Sequence, residues 1–598
     1  MITNRTMNVE PKDQIKFLNQ ELITLSESWE TYLSKQMRFL VAEKELFIGR
    51  IWGIEDKSNC LILRFKVSHV PRINSLFFLG LVGPDSVGDP SSWEFTYRQF
   101  RESEKKDYWN KQGVEIQTVN YLSIDEKWAY ILVNVAEHQF MDDMEQTYLY
   151  KGTHPLIVVA QSDPPFKYLL NLKEFIEHHP NNKILNYQII NELECWNPHV
   201  LDNANDVSTE MIEMIQQQKY TLIQGPPGTG KSYLAAQICD HFLANNKSVS
   251  VTALTNKALI EIAQQPALVD FLRGMKIYKT NITNEETRKL PWLLDYEDSL
   301  PSAGELLLTT YYKLSELYKK VSIENKRFDL LIIEEASQAF LPTIAMFSTI
   351  AHRILIVGDH KQLSPVVQTS DYKLKLINQD IHGVINGFET YAYNNEEISY
   401  RLTKTRRLTS DSANLTSVYY DNQLGSISEF DNQIIHQTKY NDLFHPNGGI
   451  TVVELPKAMA GFTKKQLYSI IAEVGLDLLE SDKENNVAFL TSTVANEENI
   501  YQAYSSRSKK YKRVTISTIH KIQGLTCDYT LFYMPLESSH MDLDDNLFNV
   551  ATSRAKKGTL IITFDYIDLL AGKSKEIQTF LNGCRNVTDI FLTYLKTI

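Results

Sequence analysis

The spacing of apolar positions changes several times along the chain, and each rhythm predicts a different element. From Lys12 to about Leu46, the residues Ile15, Leu18, Leu22, Leu25, Trp29 and Leu33 recur at three- and four-residue steps, the stripe of one long helix. Alternating runs follow. LFIGRIWGI and CLILRFKV flank EDKSN, and VEIQTVNYL and WAYILVNV flank a turn at Asp125–Lys127, so each pair predicts a β-hairpin. With HPLIVVAQ (His154 to Gln161) they predict a small antiparallel barrel, in which the charged insertion RESEKKDYW reads as a solvated loop. SDPPFKYLLNLKEF closes this region, and a helical, Asn-rich connector runs to about Leu201.

Further on, the apolar runs are short and unbroken, as strands buried on both faces require. SVSVTAL, ELLLTT, DLLIIEE and ILIVGD are separated by segments long enough for crossover helices, which predicts a doubly wound parallel sheet. From residue 450 onward ITVVEL, NVAFLT, RVTIS, YTLFYM and TLIITF repeat the rhythm. The two series differ in one respect. Only the first is preceded by TLIQGPPGTGKS, where Gly225, Pro226, Pro227, Gly228, Thr229, Gly230, Lys231 and Ser232 match the phosphate-binding pattern G-x-x-x-x-G-K-[ST] between a strand and a helix. The glycines let successive N–H groups face an anion at a helix N-terminus. Lys231 is then expected to reach the β/γ-phosphates and Ser232 to supply a Mg²⁺ ligand. A nucleoside triphosphate is expected in the cleft between the two sheets.

Composition narrows this picture further. A chain of 598 residues, 43% hydrophobic and 22% charged, is an ordinary globular composition with room for several domains. No apolar run reaches the ~18 residues needed to span a membrane and no signal peptide opens the chain, so the expectation is an intracellular, cytoplasmic protein without a membrane partner. Cys60, Cys195, Cys239, Cys527 and Cys584 are scattered without a C-x-x-C pair, which supports neither a zinc module, an iron–sulfur cluster nor a disulfide framework. A net charge of −12 argues against coating nucleic acid by charge alone but leaves room for a narrow basic channel.

GPPGTGKS, TNKA (Thr255 to Ala258), IIEEASQ (Ile332 to Gln338), VGDHKQLSP (Val357 to Pro365), STIHKIQG (Ser517 to Gly524) and NVATSRAKKG (Asn549 to Gly558) occur in the order of the superfamily 1 helicases. The chain most resembles their 5′-to-3′ branch, superfamily 1B. GPPGTGKS and NVATSRAKKG are similar to its nonsense-mediated-decay and replication group, and STIHKIQGLT to its exonuclease V alpha-subunit group. The resemblance covers about residues 201 to 598. It implies an α/β fold of two tandem RecA-like doubly wound parallel-sheet domains, carrying a helical stalk and an accessory barrel. The implied divisions are a stalk at 1–45, the barrel at 46–165, the connector at 166–200 and RecA-like domains at 201–375 and 376–598.

It also implies roles. Glu334 would hold Mg²⁺, Glu335 would orient and deprotonate the attacking water, and Gln362 would sense the γ-phosphate. Arg407 and Arg554 resemble arginine fingers reaching from the second sheet. Four positions depart from the pattern. Glu334 stands where Asp is usual, and Thr526 where one group has a ribose-binding glutamate. Arg406 takes the place of an adenine-stacking aromatic, and the count to YYDNQL would alternatively make Arg406 the finger. The adenine-reading glutamine is represented only by Asn205 in LDNAND. ATP recognition is therefore expected to rest on the triphosphate. Thr255, Asn256, Thr310, Thr491, Thr518 and His520 lie at or just after strand ends where family members touch the phosphodiester backbone, and SSRSKKYKR (Ser505 to Arg513) is the densest basic run. The implied activity is that of an ATP-dependent translocase or helicase on single-stranded DNA or RNA, working as a monomeric motor. The competing readings are a nucleotide-switched scaffold and the helicase component of a nuclease or defence complex.

Overall fold

The structure is a computed structural model. It describes residues 6–8, 10–55, 60–73, 75–82, 89–102, 114–124, 127–135, 138–149, 151–186, 188–190, 196–296, 300–323, 327–393, 395–431, 438–456, 464–508, 513–522, 524–535, 544–564 and 574–596. Most of RESEKKDYW, residues 509–512 of the basic run, Cys195 and Gln523 of STIHKIQG lie outside the described residues.

The expected N-terminal helix runs from Pro11 to Ser34, and a separate short helix covers Met37–Ala42. No proline or glycine marks the break. Lys35 and Gln36 are extended because the barrel supplies their backbone partners: Met37 N donates to Phe95 O at 3.0 Å and Tyr97 N to Lys35 O at 3.0 Å. The long helix buries Phe17 and Leu18 beside helix Phe166–His178. Its Glu21 carboxylate accepts from the Gln368 and Thr369 amides at 2.7 and 2.9 Å, which ties it to the α/β body.

The barrel closes in the order Leu46–Glu55, Cys60–Lys66, Trp128–Val135, Val114–Ile124, Leu76–Leu81 and Leu156–Gln161. Its sixth strand, LFFLGL, completes the ring by pairing antiparallel with Val114–Ile124 and Leu156–Gln161. Closure leaves no open edge. Alternate side chains such as Leu61, Leu63, Ile131, Val133, Ile157 and Val159 fill the interior.

The first α/β sheet has nine strands, all parallel, in the order Leu294–Asp295, Ile277–Lys279, Leu306–Thr310, Val249–Ala253, Phe328–Ile333, Ala351–Gly358, Tyr220–Gln224, Ser399–Leu402 and His199–Leu201. The second has six, also parallel, ordered Val514–Thr518, Val487–Thr491, Cys527–Tyr533, Ala555–Phe564, Gly449–Leu455 and Arg585–Asn586. The apolar runs read from the sequence occupy the central strands of both, except RVTIS, which is edge strand Val514–Thr518 of the second sheet. Counted along the chain from Tyr220–Gln224 in one sheet and Gly449–Leu455 in the other, and leaving out the outer strands, both follow the order third, second, fourth, fifth, first. The expected division after residue 375 falls inside the first body. Strand Ser399–Leu402 pairs in parallel with Tyr220–Gln224, and Val384, Phe388 and Tyr391 pack in the core beneath that sheet.

Candidate functional site: a phosphate loop facing two arginines

Strand Tyr220–Gln224 is covered on both sides by neighbouring strands, so the loop at its C-terminal end is held by a rigid base. The loop passes through left-handed conformations at Gly228 (φ 73°) and Gly230 (φ 88°) before helix Lys231–Ala244 begins. Any side chain at Gly228 would meet Arg407 Cβ at 2.3 Å, and one at Gly225 would meet Lys231 Cγ at 2.2 Å. Backbone and hydroxyl contacts stitch the loop to the chain that follows the first sheet. Thr405 Oγ1 donates to Pro227 O at 2.7 Å and Arg406 N to Gly228 O at 2.9 Å, while within the loop Thr229 Oγ1 donates to Pro226 O at 2.8 Å. The Lys231 ammonium folds back onto Gly225 O at 2.5 Å. Desolvation lowers its affinity for a proton, against the pull of Asp359 and Glu334.

The two acids follow strand Phe328–Ile333. Glu334 is buried; its amide donates to Thr252 O at 2.8 Å and its carbonyl accepts from the Tyr311 hydroxyl. Ser232 Oγ donates to Glu334 Oε1 at 3.2 Å, while Glu334 Oε2 is buried without a hydrogen-bond partner. Burial pushes this carboxyl up to about 8, opposed by Lys231. An orphaned carboxylate oxygen beside a serine hydroxyl is a donor set that suits a hard divalent cation. Glu335 is held at φ 54°, ψ 34°, a left-handed conformation that costs a non-glycine residue on the order of 1–3 kcal/mol. The turn separates its carboxylate from that of Glu334 and hands it to Thr255 Oγ1 at 3.3 Å. Burial pushes this carboxyl up to about 7.

The arginines come from two places: Arg554 stands just before second-sheet strand Ala555–Phe564, whereas Arg407, expected from the second sheet, lies in the segment after first-sheet strand Ser399–Leu402 that is stitched to the loop. Arg554 is buried, bonded through Nε to Val550 O at 2.7 Å and through Nη2 to Gln362 Oε1 at 3.2 Å. Burial, and then the like charge of Arg407, bring its pKa down to about 9. Half-buried Arg407 reaches Ser553 O at 3.3 Å, and desolvation lowers its pKa as well. Among the described residues neither guanidinium has a carboxylate within ion-pairing distance. Gln362 donates to Asp359 Oδ2 at 2.7 Å, and the same oxygen accepts from the Tyr420 hydroxyl at 2.7 Å. Asn549 Nδ2 lies 2.9 Å from that hydroxyl and 2.6 Å from Lys361 O. Asp359, Tyr420 and Asn549 thus connect Gln362 to the segment carrying Arg554. The Asp359 and Asn549 motifs were visible in the sequence; Tyr420 had no signal beyond YYDNQL.

Base-side positions are arranged differently from their order in LDNAND. Asn205 is exposed. Buried Asn203 instead donates to Thr229 O at 2.8 Å and Lys404 O at 2.9 Å, and accepts from the Thr403 and Lys404 amides. Arg406 is exposed, its Nη2 3.2 Å from Asn203 O, at the mouth of the loop. Thr526 is exposed.

Of the strand-end positions, Thr255 caps helix Asn256–Ala263 by accepting from Ala258 N, and Asn256 is exposed beside it. Thr310 is buried at its strand end, with Oγ1 accepting from Lys313 N at 3.4 Å. Thr491 is fully buried and its hydroxyl has no hydrogen-bond partner; Thr493, two residues on, caps the next helix. Thr518 is buried at its strand end and His520 is exposed. Thr255 and Thr493 each stand two residues after the second strand of their sheet, and Thr310 and Thr518 each end the third strand.

A family profile for an AAA domain matches residues 208–368, and one for the viral superfamily 1 RNA helicase core domain matches residues 443–563. The DNA replication ATP-dependent helicase/nuclease DNA2 of Saccharomyces cerevisiae is 27% identical over 36% of this chain and 14% of its own length. The ATP-dependent helicase upf1 of Schizosaccharomyces pombe is 22% identical over 60% of this chain and 44% of its own. The chain thus spans less than half the length of these two relatives. The crystal structure of arterivirus nonstructural protein 10 (helicase) superposes with a TM-score of 0.32 at 16% identity, covering 61% of this chain and 64% of that one. Among the described residues no helix is long and apolar enough to cross a membrane. The two profiles fall on the two parts of the chain that carry these motifs, and the matches and relatives together are consistent with a superfamily 1 helicase of the 5′-to-3′ branch that the motifs resemble.

Proposed function

We propose that this chain is an ATP-driven translocase and helicase on single-stranded nucleic acid, moving 5′ to 3′, with hydrolysis in the cleft between two RecA-like domains. One observation carries the reading. Lys231, Arg407 and Arg554 converge on the phosphate loop opposite two acids, and neither arginine has a carboxylate partner among the described residues. Such a cluster of desolvated cations calls for a polyanion of high charge, and the loop geometry makes it a triphosphate.

In this reading the loop amides and Lys231 bind the β/γ-phosphates. Ser232 and Glu334 would hold Mg²⁺, which when bound neutralises charge on those oxygens. Glu335, aimed away from Glu334 by its left-handed turn, orients the attacking water and takes its proton. Arg554 and Arg407 stabilise charge developing on the transferred group. Gln362 is bonded to both Arg554 and Asp359, so loss of the γ-phosphate would be felt first at the Asp359–Tyr420–Asn549 links between the sheets. Thr255, Thr310, Thr518 and His520 would hold the strand's phosphates, the long helix and barrel would serve as stalk and accessory domain, and Arg406 would lie against the base.

Polarity is tested with duplexes bearing a single overhang. Unwinding should require a 5′ overhang; unwinding confined to 3′ overhangs would reverse the polarity assigned here.

A further inference from the structure

Where the barrel meets the second sheet, the chain buries an ion pair that hydrolysis does not use. Glu497 stands in the first turn of helix Val494–Ser505 and is 8% exposed. Lys521 closes the 3₁₀ turn Ile519–Lys521 that follows Thr518. Lys521 Nζ and Glu497 Oε2 lie 3.5 Å apart, both atoms are buried, and neither forms a well-made hydrogen bond with a described residue. Exposed Arg72 of the barrel and the Thr518 backbone amide add to the positive field around the carboxylate. Burial works against both charges, raising the Glu497 carboxyl and lowering the Lys521 ammonium.

The barrel and the turn that leads into it touch the same helix at neighbouring positions. Tyr121 stacks on Tyr501 with ring centroids 5.0 Å apart, and Lys44 pairs with Glu498 at 3.7 Å. The buried pair therefore sits under the barrel, beside Thr518 and His520. A buried ammonium without a hydrogen bond is expensive, and a carboxylate at this distance supplies charge but not geometry. A phosphodiester oxygen would supply both.

We propose that Lys521, Arg72 and the Thr518 amide form a seat for one phosphodiester of the bound single strand, and that Glu497 fills this seat as an internal anion until the strand displaces it. The proposal rests on the helicase reading and adds a regulatory element to it. Displacing Glu497 lowers the apparent affinity for the strand. It also moves a negative charge out of the region that the barrel covers, beside the Tyr121–Tyr501 contact between the barrel and helix Val494–Ser505.

The test uses the full chain without nucleotide and fluorescent oligomers of deoxythymidine and of uridine, titrated over a range of salt. Glu497→Gln should bind about fivefold more tightly than wild type, with a salt slope steeper by about one, as one more phosphate is neutralised without competition. Lys521→Gln should bind more weakly, with a slope shallower by about one. The double variant should be no tighter than Lys521→Gln alone. Tightening by Glu497→Gln cannot come from a damaged fold. If wild type binds an oligomer but Glu497→Gln leaves affinity and slope unchanged, the seat is wrong and the helicase reading stands. If wild type binds neither oligomer, the helicase reading fails and the seat with it.

Discussion

Glu335→Gln is expected to bind ATP as the wild type does and to hydrolyse it about a hundredfold to ten-thousandfold more slowly, the range for loss of a positioned general base. The substitution keeps the shape of the side chain and its contact with Thr255, and leaves Ser232, Glu334 and Lys231 untouched. What it removes is the ability to take a proton, so kcat should fall while nucleotide affinity holds. Lys231→Ala should fail in the opposite way. It removes the ammonium of the loop and leaves Arg407 and Arg554 with no cation opposite them to share the phosphates, so the loss appears first in ATP binding. Nucleotide binding by a fluorescent analogue and single-turnover hydrolysis separate the two variants. Wild-type ATP affinity in Lys231→Ala, or turnover near wild type in Glu335→Gln, would contradict the assigned roles.

The second large effect is expected at Arg554. Its guanidinium sits between Val550 O and Gln362 Oε1 with no anion among the described residues, and burial holds its pKa down to about 9. A cation kept in such surroundings gains most when negative charge develops next to it, which happens in the transition state and not in the ground state. Arg554→Ala should therefore lower nucleic-acid-stimulated kcat by about a thousandfold to a hundred-thousandfold with KM little changed. Arg554→Lys tests the geometry separately. A lysine keeps the charge but cannot hold both Val550 O and Gln362 in the same fork, so most of the loss should persist. Full activity in Arg554→Lys would show that charge alone suffices. A rise in KM as the main effect of Arg554→Ala would show a role in ground-state binding.

Legibility in the sequence followed the range of the physics. The phosphate loop needs glycines at fixed offsets between a strand and a helix, a local demand, and Gly228 and Gly230 show it in their positive φ. The central strands are buried on both faces and so announce themselves as apolar runs. Strand His199–Leu201 at the edge and Ser399–Leu402 beside it carried no such mark. They are three and four residues long and join the sheet across about 200 positions of sequence, so neither periodicity nor turn chemistry points to them. The break at Lys35–Gln36 was hidden for a related reason: barrel backbone from Trp93 to Tyr97, not a helix-breaking residue, ends the helix. Within LDNAND, Asn203 and Asn205 are chemically alike, and only the path of the loop decides that Asn203 turns inward to join Thr229 and Lys404. Thr491 and Thr493 pose the same ambiguity, which the start of helix Val494–Ser505 resolves in favour of Thr493 as the cap. The contact between Glu497 and Lys521 depends on a neighbouring strand and turn, and no spacing rule reaches it.

The most direct measurement of the whole account is the steady-state ATPase rate of the chain alone and with single-stranded DNA, single-stranded RNA and blunt duplex at matched nucleotide concentration. A motor driven from the cleft between the two sheets should hydrolyse ATP slowly alone and at least about tenfold faster with one of the single strands, since the bound strand must bring Arg554 and Glu335 into register across the cleft. A rate that is the same with and without every nucleic acid would contradict it, and would leave a nucleotide-switched scaffold as the better description of the molecule.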